Sequence, residues 1–249
     1  MKLFRASSLH KLIGDAKSIA TELRDDQVNA LINKKKRTED ENALIENLKN
    51  KSLSSTAKSE IRKTVKEDLY GFHSFTGNQY TRKGNMLEEI AIELSGNIRF
   101  RKYQKHTGRV ENDFITGECD ILDLNQKLII DTKCTWDIGT HPFFQDEALE
   151  KVIDLGYDIQ MQAYMWLYGC EKAFIDFWLF PCPVELTKDW DDREQLIDLV
   201  EKIDIRERLT TVVIERDEAI IQKFKDKIPH CQAYYEKLFA ERSHGELAA

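Results

Sequence analysis

The sequence is poor in residues that interrupt regular structure, and it lacks long apolar runs. Its 249 residues include 4 Pro and 11 Gly, which excludes a collagen-like or low-complexity chain. No apolar run approaches the roughly 18 residues that a membrane span needs, and residues 1–10 do not lead into the apolar core of a signal peptide. The five cysteines form no C-x-x-C pair, which favours free thiols in a reducing compartment. We therefore expect no membrane association and a cytoplasmic location.

Aromatic and charged residues are plentiful. With 41% hydrophobic residues and 12 Phe, 8 Tyr and 4 Trp, the chain can build a packed core. The net charge of −7 is unevenly distributed, since residues 1–110 carry 22 Lys and Arg against 14 acids and residues 111–249 carry 15 against 30. A basic face for a polyanion and solvated helices of mixed charge both explain this asymmetry.

The hydrophobic pattern predicts a helical extension over residues 1–75, packed on a core over residues 76–249 that includes the C-terminal helices. Helices are expected at 8–31, 39–50 and 54–70, the last capped by Ser54 and stopped by Gly71. The core begins with a helix at 80–95 and a meander of four antiparallel strands at 98–104, 110–116, 118–124 and 127–133. It continues with a helix at 146–169, a strand at 173–180, a helix at 190–204, a strand at 209–215 and a helix at 217–240. The fold class is α/β (α+β).

The strands at 118–124 and 127–133 bring acidic residues together. A two-residue turn at Asn125-Gln126 pairs positions whose numbers sum to 251, which sets Asp120 opposite Asp131. Opposed Cβ atoms lie about 4.5–5.5 Å apart, so the two carboxylates repel unless a cation lies between them. Lys133 points to the same face as Asp131 because side chains alternate along a strand. A metal site is one interpretation, and ordinary ion pairs of Lys133 with Asp131 and Glu118 are the other.

Two helices add polar residues to this pattern. In the helix at 80–95, Glu88 borders the buried face, where a solvated glutamate at the helix margin is the alternative. In the helix at 146–169, Gln160 and Tyr164 are spaced i, i+4 and can act together at the wall of a site. Taken singly, Tyr164 is as well explained as a core residue and Gln160 as a surface one.

Four motifs occur in an αβββαβ frame: G-x-x-x-E at Gly84–Glu88, an isolated Asp, D-x-K and Q-x-x-x-Y. Together they resemble the pattern of the PD-(D/E)xK nuclease superfamily. The most similar members are the YqaJ-like and phage lambda-type exonucleases, with RecB-like nuclease domains as relatives, and the resemblance covers residues 76–182. It implies a restriction-endonuclease-like core with a central mixed sheet flanked by helices. It also implies a Mg²⁺-dependent deoxyribonuclease, with Mn²⁺ able to substitute, that digests double-stranded DNA 5'–3' and leaves single strands for phage-type recombination.

The resemblance assigns roles residue by residue. The catalytic set it implies is Glu88, Asp120, Asp131, Lys133, Gln160 and Tyr164. The metal ligands would be Glu88, Asp120, Asp131 and the carbonyl of Thr132. Two positions depart from the family pattern: Cys119 stands where many members have Pro, and Asp131 stands where lambda-type enzymes usually have Glu.

The resemblance also sets expectations about partners and cofactors. DNA with a free end is the substrate, and lambda-type relatives imply a homotrimer and a cooperating single-strand annealing protein in the cytoplasm of a bacterial host. Cys170, Cys182 and Cys231 are too dispersed to hold the iron–sulfur cluster of some RecB-like relatives, so no cluster is expected. Residue type, and not the resemblance, gives the expected DNA contacts, which are Arg82, Lys83, Arg99, Arg101, Lys102, Lys105 and Trp136. Solvated surface cations are the alternative interpretation, and for Trp136 the alternative is a place in the core.

Two alternatives stay open on the sequence. One is a RecB-like or structure-selective end-processing endonuclease. The other is a non-catalytic DNA-binding module of the same fold, in which the acids serve only as ion pairs. Polarity of digestion, the number of metal ions and the oligomeric state are also left open.

Overall fold

The computed structural model describes residues 1–243, which contain both helices and strands. The helices are α1 (Leu9–Leu12), α2 (Asp26–Asn33), α3 (Glu39–Lys51), α4 (Ser55–Tyr70), α5 (Gln79–Asn97), α6 (Gln145–Asp154), α7 (Tyr157–Tyr168), α8 (Leu199–Lys202) and α9 (Glu218–Ser243). The strands are β1 (Phe4–Arg5), β2 (Val110–Glu111), β3 (Ile115–Gly117), β4 (Ile121–Asp123), β5 (Leu128–Thr135), β6 (Lys172–Leu179) and β7 (Leu209–Glu215). No helix within residues 1–243 is both long and apolar enough to cross a membrane.

The chain divides into two units. The helical unit comprises residues 1–74, 111–116 and the described residues from 218 onward, and the sheet unit comprises residues 75–110 and 117–217. The sequence division placed the C-terminal helix with the core over 76–249. In the structure α9 instead packs on α3 and α4, so it belongs with the N-terminal helices.

In the helical unit, α4 packs against α1 and α9. Its start and end follow the sequence prediction: the Ser54 hydroxyl accepts a hydrogen bond from the Ala57 amide at 3.1 Å, and Gly71 ends the helix with φ +66°. The predicted continuous helix over 8–31 is wrong. α1 ends at Leu12, and a short 3₁₀ turn follows at Thr21–Leu23. The next α-helix begins at Asp26, where the Asp25 carboxylate caps it by accepting from the Val28 amide at 2.7 Å.

The sheet unit is built on a four-stranded mixed sheet in the order β4-β5-β6-β7. β5 runs antiparallel to β4 and parallel to β6, and β6 runs antiparallel to β7. On one face, Ile92 of α5 packs with Ile121, Leu128 and Ile130, while α7 packs on β5 and β6 from the other. β5 is thus covered on both faces, as the apolar run Leu128-Ile129-Ile130 at its start predicts for an inner strand.

The hairpin formed by β4 and β5 has the predicted register. Ile121 pairs with Ile130 and Asp123 with Leu128, so paired residue numbers sum to 251 as predicted. The turn itself is longer than predicted: residues 124–127 form it, and Lys127 adopts a positive φ of 49°. The turn gains one residue on each side of the predicted Asn125-Gln126 pair, so the register of the two strands is unchanged.

Four other predicted elements differ in the structure. Residues 98–104 form no strand, because the chain turns back after α5 and the Arg101 amide donates to the Gly96 carbonyl at 2.9 Å. Residues 110–117 leave the predicted meander and form a separate sheet in the order β1-β3-β2, with β1 parallel to β3. The helix over 146–169 is two helices, because Gly156 breaks it with φ +69°; residues 190–204 contain a π-helical turn followed by the short α8.

Candidate active site

Asp120 and Thr132 are joined across the β4–β5 hairpin. Asp120 directly precedes β4, and one oxygen of its carboxylate accepts hydrogen bonds from the Thr132 amide at 2.8 Å and the Thr132 hydroxyl at 3.1 Å. These two bonds fix the orientation of the carboxylate. Its other oxygen is left for a further partner.

Asp131 and Lys133 form a tight ion pair on β5. The Lys133 ammonium lies 2.5 Å from Asp131 Oδ2, but no donor makes a well-directed hydrogen bond to that buried oxygen. Burial raises the pKa of the Asp131 carboxyl, the Lys133 charge lowers it, and the Asp120 and Glu88 carboxylates raise it again; the net pKa lies above the ordinary value. Burial is the largest of these effects, so it and the neighbouring carboxylates together outweigh the attraction of Lys133.

Lys133 is held by its surroundings. Burial acts to lower its pKa, but attraction to Asp131, Asp120 and Tyr157 outweighs burial and keeps the pKa above the ordinary value. The ammonium also lies 4.7 Å from the centre of the Tyr157 ring. Lys133 is thus a fixed cation between carboxylates and an aromatic face.

Glu88 of α5 forms an ion pair with Lys105. The pKa of Lys105 is raised, mainly by its hydrogen bond to Glu88, with Asp120 and Glu118 adding to the attraction. Lys105, expected to contact DNA, therefore lies beside the acidic residues of the site. Glu88 is one-quarter exposed, so its carboxylate can be reached from solvent.

Gln160 and Tyr164 of α7 form the pair that their spacing predicts. The Gln160 amide donates to the Tyr164 hydroxyl at 3.0 Å, and both side chains are buried. The pKa of Tyr164 is raised by burial and then by the Asp131 charge. The tyrosine is therefore close enough to the carboxylates to sense them, and it lies in the wall of the site.

Tyr157 is a member of the site that the sequence analysis missed. It begins α7 and contacts Lys133 through its ring. It precedes Gln160 by three residues and Tyr164 by seven, so the helical repeat places all three on one face of α7. That spacing was the available signal.

The residues present suit a hard divalent cation. Carboxylate and carbonyl oxygens are the ligands that Mg²⁺ prefers, and Asp131 offers a buried oxygen with no well-directed donor. Within residues 1–243, no three His, Cys, Asp or Glu side chains already converge as a metal-holding cluster. Asp120 and Asp131 are the two acids closest to that role, and the Thr132 carbonyl directly follows Asp131 in sequence. Glu88 would have to leave Lys105 to join them.

Two of the expected DNA contacts are engaged inside the sheet unit. The Lys83 side chain is fully buried, and its ammonium donates to the Trp136 carbonyl at 2.6 Å and the Phe180 carbonyl at 2.7 Å. Arg99 makes two hydrogen bonds to the fully buried Asp176 carboxylate, at 2.7 and 2.8 Å. Neither cation is available to a phosphate, which corrects those two expectations.

The other expected contacts stay compatible with DNA. Arg82, Arg101 and Lys102 are exposed. Trp136 is half-buried and packs edge-on against Tyr80, with ring centres 5.1 Å apart. Its ring is therefore supported by a second aromatic residue.

The mixed sheet, its flanking helices and the carboxylate–lysine arrangement on the β4–β5 hairpin define a nuclease of the PD-(D/E)xK type. A phage-related exonuclease from Haemophilus somnus 129PT, solved by crystallography, is 49% identical, with a TM-score of 0.82 and 96% of each chain covered. An alkaline exonuclease from Laribacter hongkongensis shares the fold at 16% identity, with a TM-score of 0.54 and coverage of 78% of this chain and 88% of that one. Its structure in complex with dAMP matches at 18% identity, with a TM-score of 0.52 and the same coverage.

No protein-family model and no curated protein matches the chain. The identity to the Haemophilus protein over nearly the whole of both chains shows the family. The chain belongs to the phage-related exonucleases of the PD-(D/E)xK superfamily.

Proposed function

We propose that the protein is a Mg²⁺-dependent deoxyribonuclease that digests double-stranded DNA from an end, with 5'–3' polarity, and leaves single strands for phage-type recombination. The observation that carries this proposal is the pairing of Asp120 with Thr132 beside the Asp131–Lys133 ion pair. Two carboxylates and one ammonium thus belong to the β4–β5 hairpin, with Asp120 directly before β4 and the other two groups on β5. The family membership supports the exonuclease part.

In this proposal the acids of the hairpin hold the metal. Asp120, Asp131 and the Thr132 carbonyl would be ligands, and Glu88 would join them on leaving Lys105. When bound, Mg²⁺ lowers the pKa of a water and offsets the negative charge that develops on the phosphate. Mn²⁺ is expected to substitute, because it accepts the same oxygen ligands.

The protein's own groups would orient the reactants. Thr132 fixes the Asp120 carboxylate through two hydrogen bonds, which removes the entropic cost of ordering it when substrate binds. Lys133, fixed as a cation by Asp131 and the Tyr157 ring, would orient the attacking water and donate hydrogen bonds to the developing negative charge. The hydrogen-bonded pair of Gln160 and Tyr164 would position the DNA or the attacking side of the site.

Further elements of the proposal concern partners. Lambda-type relatives suggest a homotrimer and a cooperating annealing protein. The DNA contacts in this proposal are Arg82, Arg101, Lys102, Lys105 and Trp136. Lys83 and Arg99 are not retained, because internal partners engage their charges.

The test uses end-labelled linear duplex DNA and closed circular duplex DNA of the same sequence, incubated with the purified protein in Mg²⁺ or in EDTA. Loss of the linear DNA alone, in Mg²⁺ only, is the expected result. Release of label as a mononucleotide from a 5' end would support the polarity, and release from a 3' end would reverse it.

Other results would replace the proposal. Cutting of the circle would make the protein an endonuclease of the RecB-like or structure-selective kind. Binding without cleavage in Mg²⁺ and in Mn²⁺ would favour the non-catalytic module.

A further inference from the structure

Phe100 has an unusual combination of exposure and backbone conformation. Its side chain is 97% exposed, and its φ is +55°. A positive φ is unfavourable for a bulky side chain and costs nothing for glycine. A fully exposed phenyl ring also contributes nothing to the core. Folding alone would favour glycine at this position on both counts.

The turn that carries Phe100 is anchored on both sides. A Cβ on Gly96 would lie 2.6 Å from the Arg101 carbonyl oxygen, so the chain packs closely against the end of α5. Arg99 is fixed by the buried Asp176 carboxylate and by the Phe174 ring, 5.0 Å from its guanidinium carbon. The exposed ring is therefore presented by a fixed turn, which lowers the entropic cost of binding to it.

The residues after Phe100 lead back to the site. Arg101 and Lys102 are exposed, and neither forms an ion pair among residues 1–243. Lys105 then pairs with Glu88. Beside this segment and the edge strand β4 lies an open groove of about 500 Å³ whose lining includes Lys102, Lys105 and Leu122. A basic path thus joins Phe100 to the acids of the site.

The length of this path suits a short stretch of nucleic acid. Nine residues of α5 separate Glu88 from Asn97, which at the helical rise is about 14 Å. At the rise of about 3.4 Å per nucleotide of a duplex strand, this corresponds to roughly four nucleotides.

We propose that Phe100 is a base-stacking residue for single-stranded DNA, at the far end of a basic path formed by Arg101, Lys102 and Lys105. An exposed aromatic ring beside cations takes an unpaired base on its face and the phosphates on the cations. A duplex hides its base faces, so the preference is for the single strand that digestion would leave. This choice of strand rests on the proposed function.

The test compares Phe100→Gly, Phe100→Trp and the control Trp190→Ala. Trp190 is 79% exposed, with the Lys188 ammonium 5.1 Å from its ring centre, so it matches Phe100 in exposure and neighbouring charge. Binding is measured in EDTA, which prevents cleavage, by fluorescence anisotropy. The probes are an oligothymidylate of about ten nucleotides, within the usual site size, and a blunt duplex of the same length.

The glycine variant should bind the oligothymidylate on the order of 5- to 150-fold more weakly, as expected from about 1–3 kcal/mol for one stacked base. Its affinity for the duplex and its melting temperature should not fall, because glycine accepts the backbone conformation. The tryptophan variant should keep the affinity and show added fluorescence quenching with the oligothymidylate. The control variant should bind both probes as the unchanged protein does.

Three results would overturn the inference. Equal weakening for both probes would make Phe100 a general contact. An unchanged affinity for the oligothymidylate would remove the stacking role, and a changed sedimentation coefficient with unchanged DNA affinity would assign the ring to a contact between protein chains. The two proposals can fail separately. If Phe100→Gly loses single-strand binding but the unchanged protein cuts no DNA, Phe100 is a stacking residue and the proposed function is wrong. If the unchanged protein cuts linear DNA and Phe100→Gly binds the oligothymidylate normally, only the stacking role of Phe100 is wrong.

Discussion

The amide and the hydroxyl of Thr132 both donate to one carboxylate oxygen of Asp120, at 2.8 and 3.1 Å. The hydrogen bond from the backbone amide depends only on the register of the hairpin. The hydrogen bond from the hydroxyl depends on the threonine side chain. Thr132 therefore does two things: its backbone secures the position of Asp120 and its side chain fixes the angle of the carboxylate.

Replacing Thr132 by Val should separate these two contributions. The shape is kept and the hydroxyl bond is lost, so the free energy of unfolding should fall by about 1 kcal/mol, while kcat on linear DNA falls and KM changes little. The control is Thr211→Val, because the Thr211 hydroxyl donates to Asp176 at 2.7 Å outside the site. The Thr211→Val variant should lose a similar free energy of unfolding and keep its kcat. An equal loss of kcat in both variants would contradict the role of the Thr132 hydroxyl in orienting Asp120.

Replacing Lys133 by Met should lower kcat by about 10²–10³-fold, the range for the loss of one preorganised donor at a reacting centre. DNA affinity, measured in EDTA, should change far less, because one cation among several contributes little to phosphate binding. Single-turnover rates and anisotropy titrations measure the two effects. Loss of rate and affinity by the same factor would reduce Lys133 to a phosphate contact.

Lys83 and Arg82 are neighbours with opposite expected behaviour. Lys83→Met leaves two buried carbonyls without their donor, so thermal unfolding should show a loss of about 2–4 kcal/mol. The exposed Arg82 should give no stability change when replaced by Ala, but DNA affinity should fall and the salt dependence should weaken by about one phosphate contact. An Arg82→Ala variant with unchanged DNA affinity, or a Lys83→Met variant with unchanged stability, would contradict these assignments.

His141 should make the fold sensitive to acid. Its side chain is buried, and burial, followed by the Lys151 and Lys83 charges, lowers its pKa to about 4 from 6.5. Between about pH 6.5 and pH 4 the unfolded chain binds a proton that the folded chain does not, so stability falls as pH falls through this range, by on the order of 3 kcal/mol.

The variant His141→Gln removes this titration, and denaturant unfolding at several pH values should show a flatter profile than that of the unchanged protein. The exposed His73 supplies the control, since His73→Gln should leave the slope in place. A profile for His141→Gln as steep as that of the unchanged protein would refute the assignment.

Local sequence patterns predict the hairpin and the Q-x-x-x-Y pair well. The β4–β5 register follows from alternation and the polar turn, and Gln160 meets Tyr164 because both lie one turn apart on a helix. These features depend on residues close together in sequence. The caps of α4 at Ser54 and Gly71 belong to the same class.

Features that depend on residues far apart in sequence could not be predicted from local patterns. The alternating polar and aromatic residues at 98–104 favour a strand, but the close packing of Gly96 on Arg101 turns the chain there. Lys83 and Arg99 look like surface cations until Phe180 and Asp176, 97 and 77 residues away, are brought to them. The grouping of α9 with the N-terminal helices likewise depends on contacts across most of the chain.

The central claim is that Asp120 carries negative charge that the reaction needs. The most direct measurement is the single-turnover rate of linear duplex cleavage in Mg²⁺ for Asp120→Asn and Asp123→Asn. Asparagine at 120 can still accept from Thr132, so the fold should persist, as circular dichroism can check. Asp123 lies at the end of β4, three residues after Asp120, and accepts instead from the Tyr103 hydroxyl at 3.3 Å. We expect cleavage to be abolished in the first variant and retained in the second; substantial cleavage by a folded Asp120→Asn variant would contradict the account.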